Sequence, residues 1–330
     1  MRAGVRFHQG GLQIMKTLSQ YIEDMLIYKE SIGYSRKSYE YDLNRFCKFM
    51  ESKGLNTTNL KEEIVLGWCS RWESETQTSA RRRIQSIREL LKYLSAIGVD
   101  CYVIPSSFLP RPEVRTPYIF TDRELLSIFK ECDSLLPDYR SPRRHLILPV
   151  LLRLLFFCGL RPNEGRELRS DDIDFDKGVL LIRKNKSHKE RYVAMSEDVL
   201  MVCQKYRAIA ATAFADNTYF FPAPDGLPYN RRWLSGQFRT IWRKARGKGC
   251  EADAVAYDLR HRYATTMMMK WLDEGADLYA KLPYLSSYMG HSHFSDTAYY
   301  IHLLPENLIR SAAIDWSHFS DLIPEVADDE

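Results

Sequence analysis

The sequence lacks the glycine patterns and cysteine spacings that mark nucleotide, dinucleotide and structural zinc sites. It has no P-loop and no dinucleotide-binding glycine fingerprint, and none of its seven cysteines belongs to a Cys-x-x-Cys pair. An odd number of scattered cysteines is typical of reduced core thiols in a cytoplasmic protein. We therefore expect no metal ion, no cofactor and no disulfide framework.

Long hydrophobic runs are also missing. The most apolar stretch, residues 146–160, is too short to cross a bilayer and is interrupted by Pro149 and Arg153. The first fourteen residues contain no apolar segment of the kind found in secretory signals. The sequence thus predicts a cytoplasmic protein that binds no membrane. Residues 1–15 are interpreted as a disordered extension or as the product of an upstream start codon.

Positive charge prevails over most of the chain, although the net charge is only +4. The last fifteen residues, 316–330, hold five acidic and no basic side chains, so this acidic tail hides the basic character of the rest. A mildly basic protein is compatible with a polyanionic partner. With 330 residues the chain is long enough for two domains.

Residues 16–100 show the hydrophobic period of four amphipathic helices. The fourth helix is predicted to begin near Ser79 and to carry a second stripe of basic and amide side chains beside its apolar face. The second helix opens with hydroxyls and bases where a helix N-terminus can meet a phosphate. These features predict a phosphate-contacting surface, with a merely solvated face as the alternative. Its residues are Ser35, Arg36, Lys37, Arg81, Arg82, Gln85, Arg88 and Lys92.

A proline-rich segment separates this helical bundle from a second domain. Residues 101–117 are predicted to form a semi-rigid linker, and the capping box TDRE then starts a new helical series. The second domain, residues 118–315, is predicted to be mainly helical. Its exception is one β-hairpin, formed by residues 178–183 and 190–195 around a lysine-rich turn.

Six short motifs follow one another through the second domain. They are GLRPNE at 159–164, SDDID at 170–174, KSHKER at 186–191, LRHRYAT at 259–265, GHS at 290–292, and a tyrosine nine residues after the histidine. In this order they resemble the catalytic domain of the tyrosine recombinase (phage integrase) family, over nearly all of residues 116–310. The resemblance implies a mainly α, two-domain fold: a helical SAM-like core-binding domain, then an α+β integrase catalytic domain with a small sheet or hairpin.

The resemblance also implies a role for each motif residue. Arg161 and Arg260 would clamp the scissile phosphate of DNA, and Lys186 would be the general acid. His291 would hydrogen-bond the phosphate or assist the phenol. Tyr300 would be the nucleophile that becomes joined to the 3′ phosphate.

Two of these assignments have rivals close by in the sequence. Lys184 and Lys189 compete with Lys186 in the same turn. Tyr299 competes with Tyr300, but neighbouring helix residues point in different directions, so only one of them can face the phosphate. The nine-residue interval favours Tyr300, and we expect Tyr299 to pack.

One position departs from the family pattern. Where the family usually has a histidine three residues before the second arginine, this chain has Tyr257. Residues three apart share a helix face, so Tyr257 and Arg260 should both point at the site. A tyrosine hydroxyl can donate to a phosphate oxygen but cannot act as a near-neutral acid or base, which puts proton transfer at this position in doubt.

The remaining polar residues are given supporting roles. Glu164 and Asp172 are expected to hold arginines or cap helices. Arg231 and Arg232 are expected either to contact DNA backbone or to lie in a solvated loop. The histidines next to the motif residues, His261, His293 and His302, are interpreted as structural.

Elementary chemistry agrees with this assignment. A free phenol has a pKa of about 10 and is a poor nucleophile until it is placed and helped. Guanidinium groups suit the negative charge that builds around phosphorus, because they give paired hydrogen bonds and stay protonated. A phosphotyrosyl link conserves the energy of the broken bond, so resealing needs neither ATP nor a metal.

We therefore predict a site-specific DNA recombinase that cuts and rejoins duplex DNA through a 3′-phosphotyrosyl intermediate, for integration, excision or resolution of a DNA element. It is expected to act on nucleoid DNA as a tetramer on paired sites, with accessory recombinases or DNA-bending proteins as further partners. The acidic tail would dock on a neighbouring protomer or fray. The alternatives are a type IB topoisomerase-like enzyme and a catalytically impaired DNA-binding accessory protein.

Overall fold

The computed structural model describes residues 16–56, 60–70, 72–111, 115–183, 190–214 and 217–304. It divides into two compact units, Met1–Arg115 and Thr116–Glu330. The described residues are mainly α-helical with one small antiparallel sheet, which confirms the predicted fold class. No helix in these ranges is long and apolar enough to cross a membrane. The predicted extension and the acidic tail lie outside the described residues.

Four helices form the first unit: α1 (Leu18–Ser31), α2 (Glu40–Ser52), α3 (Glu62–Cys69) and α4 (Gln77–Ala96). Their apolar faces meet in one core, in which Phe46 and Ile87 are completely buried. The N-cap of α4 is Thr76, whose hydroxyl accepts a hydrogen bond from the Ser79 amide. The predicted cap at Ser79 is therefore wrong by three residues, because two residues of capping type stand one turn apart.

The segment that follows α4 belongs to the first unit. Ile104 is fully buried in the core of the bundle, and the Tyr102 amide donates to the Leu60 carbonyl at 2.8 Å. Arg88 holds the same segment by donating from Nε to the Ile104 carbonyl at 2.8 Å. The start predicted for the linker, residue 101, thus differs from the structure, since the first part of that segment packs against the helices.

The second unit contains the remaining helices and the strands. The capping box predicted at its start is present at the N-terminus of its first helix. In chain order its elements are α5 (Asp122–Asp133), α6 (Arg144–Phe157), α7 (Pro162–Arg166), β1 (Ile173–Asp174), β2 (Val179–Ile182), β3 (Arg191–Ala194), α8 (Glu197–Ala213), α9 (Arg231–Ala245), α10 (Asp258–Asp273), α11 (Leu278–Met289) and α12 (Ser295–Ala298), followed by a 3₁₀ turn (Tyr299–Leu303).

Helix α6 is the centre of this unit. It packs against α5, α8 and α10, and its leucines Leu148, Leu151 and Leu155 are completely buried. Each buried leucine contributes about 1.5–3 kcal/mol. The sheet has the order β1-β2-β3, all antiparallel, with Leu180 opposite both Ile173 and Val193. The predicted hairpin is confirmed as β2 and β3, and its lysine-rich turn lies outside the described residues. Strand β1 is not predicted by the sequence.

A smaller core joins the C-terminal elements to α10. Ala264 and Met268 of α10 pack with Leu282 of α11 and with Tyr300 and Ile301 of the final 3₁₀ turn. This cluster fixes the position of Tyr300 against the helix that carries Arg260.

Candidate active site

Two arginines from distant segments converge beyond the end of α6. Arg161 is the N-cap of α7, and Arg260 lies in the first turn of α10. Both guanidinium groups approach the Glu164 carboxylate: Arg161 Nη1 is 2.8 Å from Oε1, and Arg260 Nη1 is 3.9 Å from Oε2. The structure thus brings together the two arginines that the sequence motifs paired.

Arg260 is completely buried and is held largely by backbone carbonyls. Its Nη1 donates to the Gly159 carbonyl at 2.7 Å and its Nη2 to the Met289 carbonyl at 2.6 Å. Nη2 also lies 3.0 Å from His291 Nε2. Burial, together with the charge of Arg161, lowers the pKa of Arg260 from its ordinary value, yet guanidinium groups remain protonated in proteins.

Glycine is required at the turn before Arg161. Gly159 has φ +60°, and a Cβ built there would stand 2.6 Å from the ring of Tyr263. A side chain would strain the backbone and push this ring away. Because the Gly159 carbonyl is also an acceptor for Arg260, the turn fixes both arginines.

Glu164 is the anionic centre of the arginine cluster. Its carboxylate accepts the Arg161 amide at 2.9 Å and two hydrogen bonds from Arg191 of β3, at 2.8 and 3.0 Å. Burial alone would raise the pKa of Glu164, but Arg191 and the neighbouring donors outweigh it and lower the pKa to about 2.

Replacing Glu164 by glutamine should remove an acid-dependent part of the stability. A folded-state pKa of about 2, below the ordinary 4.5, means that the contribution is complete above about pH 4.5 and is lost as the pH falls towards 2. We expect Glu164→Gln to lower the free energy of unfolding by about 3 kcal/mol at neutral pH. Urea denaturation between pH 2 and 7 measures both the free energy of unfolding and its dependence on pH.

The matched control is Glu167→Gln, because that carboxylate is half exposed and pairs with Arg166 at the surface. Such pairs contribute about 0–1 kcal/mol. An acid slope in Glu164→Gln equal to that of the wild type would contradict the role given to this carboxylate.

Arg191 received no role from the sequence, although it ends the KSHKER motif. Besides Glu164, it contacts the turn before His291: its Nε donates to the Tyr288 carbonyl at 2.8 Å. A Cβ at Gly290, which has φ +66°, would lie 2.9 Å from its Nη1. In the sequence, Arg191 is marked only by its place at the start of a strand after a basic turn. Its contact with Glu164 depends on the pairing of the strands.

His291 and Tyr300 complete the cluster, with ring centroids 5.9 Å apart. Burial raises the pKa of Tyr300 to about 12, although Arg260 opposes this effect. Burial and the charge of Arg260 lower the pKa of His291 to about 3. Both side chains are therefore neutral near pH 7.

Tyr300 is the more deeply buried of the two neighbouring tyrosines. Tyr300 is 2% exposed, whereas Tyr299, which was expected to pack, is half-buried. The two tyrosines also differ in their neighbours. Tyr300 lies against the rings of His291 and His261, whereas the ring of Tyr299 lies 6.5 Å from those of Tyr300 and His302.

Tyr257 and His261 lie on the same side of α10. Tyr257 is the N-cap of this helix, and its ring centroid is 4.9 Å from that of His261, which in turn is 5.5 Å from that of Tyr300. His261 was interpreted as merely structural, but it lies between the two phenols. His293 and His302 are exposed.

A cavity of about 950 Å³ opens beside the arginine cluster. Arg161, Tyr257, Ser292 and Arg231 are among its lining residues, but Arg260, His291 and Tyr300 are not. A ligand in the cavity would therefore meet Arg161 first, with the buried groups behind it.

Three further predicted residues surround this cavity or lie close to it. Asp172 is buried and accepts from Arg183 Nε at 2.6 Å, so it holds an arginine. Arg231 and Arg232 are exposed in the first turn of α9, which Asn230 caps. They therefore do not lie in a loop, which was the alternative to DNA contact. Lys186 and its rivals Lys184 and Lys189 lie outside the described residues. No group of potential metal ligands occurs in the described ranges.

The predicted DNA surface of the first unit is partly neutralised. Arg36 pairs with Glu23 at 2.5 Å and with Glu40 at 2.9 Å, and the residues 36–38 form a separate 3₁₀ turn instead of the start of α2. Ser35 makes no capping hydrogen bond there. Ser35 to Ser38 therefore do not form the N-terminus of α2, where the phosphate contact is predicted, although Ser35 and Lys37 are exposed.

The stripe on α4 also contains an acid, Glu89. Glu89 accepts from Gln85 at 3.1 Å and lies 3.5 Å from Lys92 Nζ. The stripe residues Arg81 and Arg88 donate to the backbone carbonyls of Pro110 and Ile104, so part of their hydrogen-bonding capacity stabilises the unit itself.

Arg82 of α4 is exposed to solvent. Its side chain is 60% exposed and its Nε lies 3.1 Å from buried Asp42. The guanidinium therefore remains accessible to a polyanion despite this ion pair.

The family comparisons agree with this geometry. The Phage integrase family model matches residues 119–307, and the model of the Phage integrase, N-terminal SAM-like domain matches residues 18–98. The tyrosine recombinase XerC of Oceanobacillus iheyensis is 28% identical to this chain over 311 residues, with 90% of this chain and 94% of that protein covered.

Two solved structures have a similar fold. XerH site-specific recombinase bound to palindromic difH substrate, in a post-cleavage complex, gives a TM-score of 0.63 at 18% identity, covering 91% of this chain and 85% of that one. A lambda integrase tetramer bound to a Holliday junction gives 0.60 at 16% identity, covering 87% and 78%. Since the catalytic family model alone matches more than half of the sequence, this chain belongs to the phage integrase family and is a site-specific DNA recombinase of the tyrosine class.

Proposed function

We propose that this recombinase cuts and rejoins DNA through a 3′-phosphotyrosyl intermediate formed by Tyr300. The observation that carries the proposal is the convergence of Arg161, Arg260 and His291 beside this one phenol. Arg161 Nη2 donates to the Gly290 carbonyl at 2.7 Å, and Arg260 Nη2 lies 3.0 Å from His291 Nε2. Guanidinium groups supply the fixed positive charge that a pentacoordinate phosphorus requires.

In the proposed reaction the phenolic oxygen bonds to phosphorus while the bond from phosphorus to the 5′ oxygen breaks. Arg161, which lines the cavity, would bind the phosphate first, and Arg260 would contact it from behind. The phenolic proton would pass to His291 or to water, and Lys186 would protonate the leaving 5′ oxygen. Tyr257 would donate a hydrogen bond to a phosphate oxygen.

Double-stranded DNA is the proposed partner, bound mostly through its phosphates and therefore with strong dependence on salt. The exposed bases Lys37, Arg82, Lys92, Arg231 and Arg232 are available for such contacts. We also propose a tetramer on paired sites, which the lambda integrase tetramer on a Holliday junction supports. Accessory recombinases or DNA-bending proteins, and action at the nucleoid in the cytoplasm, are the remaining parts of the proposal.

The test uses a nicked suicide substrate made from DNA that carries the cognate paired sites. We expect wild-type protein to form a covalent adduct that survives denaturing electrophoresis, and to recombine only DNA that bears the sites. The DNA recovered from the adduct identifies the target sequence.

Each alternative predicts a different result in the same assay. A topoisomerase of the type IB kind would relax any supercoiled plasmid, and an impaired accessory protein would bind DNA without any adduct. The comparisons favour neither alternative. An absence of adduct on a substrate that the protein binds would overturn the proposal.

A further inference from the structure

The two ring nitrogens of His291 have different neighbours. Nδ1 lies 2.6 Å from the hydroxyl of Thr297, and Nε2 lies 3.0 Å from Arg260 Nη2. Thr297 is completely buried in α12, three residues before Tyr300. Hence the segment that carries the phenol also carries the hydroxyl that contacts the imidazole.

These neighbours determine which nitrogen carries the proton. A guanidinium group only donates hydrogen bonds, so Nε2 of His291 has to be the acceptor towards Arg260. The ring is neutral, because burial and the arginines Arg260, Arg161 and Arg191, with His261, disfavour its charged form. A neutral imidazole with an accepting Nε2 carries its proton on Nδ1, which therefore donates to the Thr297 oxygen.

We propose that Thr297 is a positioning residue that fixes the tautomer and the orientation of His291, so that the Nε2 lone pair faces the reacting groups. This proposal rests on the proposed function, since its consequence is for strand cleavage. An imidazole in the opposite tautomer would present an N–H to Arg260 and could not accept a proton from the phenol.

The consequence for the reaction follows from the contacts of Arg260. When a phosphate takes hydrogen bonds from this guanidinium, Nε2 is released from it. The Tyr300 oxygen then bonds to phosphorus, the phenolic proton moves to Nε2, and the 5′ oxygen leaves with a proton from the general acid. The negative phosphate offsets the charge that His291 gains, and Thr297 still accepts from Nδ1 throughout.

The substitution that tests the hydroxyl is Thr297→Val, which keeps the shape of the side chain and removes the acceptor. Thr297→Ser keeps the acceptor and is the rescuing variant. Thr265→Val is the matched control, because Thr265 is also buried in a helix and its hydroxyl donates to the Arg262 carbonyl, at 3.0 Å.

The first measurement is the tautomer of His291 in the full-length protein without DNA. Ring ¹⁵N chemical shifts of labelled histidine distinguish the two neutral forms, and the His291 signals are those that vanish in His291→Gln. We expect a protonated Nδ1 in the wild type, in Thr297→Ser and in Thr265→Val, and a mixture of tautomers or the Nε2-protonated form in Thr297→Val.

The second measurement is the single-turnover rate of adduct formation on the suicide substrate. We expect Thr297→Val to be roughly 10- to 100-fold slower, the range that corresponds to leaving a buried donor without its partner. Thr297→Ser should recover most of the loss. A purely structural role would lower the melting temperature without changing the tautomer.

Three results would overturn the proposal: a wild-type His291 protonated on Nε2, a Thr297→Val tautomer identical to that of the wild type, or a changed tautomer with no loss of rate. Should Thr297→Val fail to fold, Thr297→Ala, which also lacks the hydroxyl, takes its place in both measurements. If the wild type forms no adduct, the proposed function is wrong. The ¹⁵N spectra still test the tautomer of His291, because they are recorded without DNA.

Discussion

Replacing Tyr300 by phenylalanine is expected to abolish covalent attachment of the protein to DNA, because the change removes only the oxygen that would bond to phosphorus. The rings of His261 and His291, whose centroids lie 5.5 and 5.9 Å from that of Tyr300, cannot supply a phenol. The assay is denaturing electrophoresis after reaction with a labelled suicide substrate. We expect no adduct above background for Tyr300→Phe, at any reaction time.

The matched control is Tyr299→Phe, which removes the same atom from the adjacent residue. Tyr299 is half-buried and its ring lies away from His291, so attachment should persist. Tyr300→Phe should also bind DNA as the wild type does, since its hydroxyl is not on the surface. Adduct formation by Tyr300→Phe, or its loss in Tyr299→Phe alone, would show that the nucleophile has been assigned to the wrong residue.

Burial of Tyr300 has a mechanistic consequence. The phenol has a pKa of about 12 and does not line the cavity that Arg161 and Tyr257 reach. In the proposed reaction its oxygen would therefore move towards the cavity to reach a phosphate bound beside Arg161. The short helix α12 and the 3₁₀ turn after it are the elements that would have to shift, because they carry Tyr300.

Much of the site could be predicted from sequence because its residues are locally marked. Arg161 follows a Gly-Leu turn, Arg260 stands in an LRHRYAT motif, and His291 and Tyr300 keep a fixed interval. These signals need no knowledge of the packing between elements. The order of the motifs then indicated that segments distant in sequence meet at one place.

Other contacts depend on packing that no local pattern expresses. Arg191 reaches Glu164 only because β3 pairs with β2 in one register, and Thr297 matters only because α12 places it against Nδ1 of His291. Likewise, Ile104 stands in a proline-rich segment that suggests an extended linker, yet it is buried in the helical bundle. Sequence alone shows the hydrophobic residue but not the groove that receives it.

Arg260→Lys is the second change for which we expect a large effect. Lysine keeps the positive charge, but it has no planar fork and cannot donate at once to the Gly159 and Met289 carbonyls and to His291. Loss of one such donor to a transition-state charge costs roughly 100- to 1,000-fold in rate. Single-turnover cleavage of the suicide substrate, at saturating protein, should show a decrease in this range.

The same substitution should also destabilise the protein, because lysine leaves at least one of these buried carbonyls unpaired, at a cost of about 1–3 kcal/mol. Cleavage must therefore be measured well below the melting temperature of the variant. The matched control is Arg262→Lys, two residues along the same helix, where the guanidinium pairs with exposed Asp122. The contrary result would be that Arg260→Lys cleaves DNA as fast as Arg262→Lys and yet has a lower melting temperature. That result would make Arg260 a structural bridge between α6 and α11. The guanidinium charge at phosphorus would then have to come from Arg161.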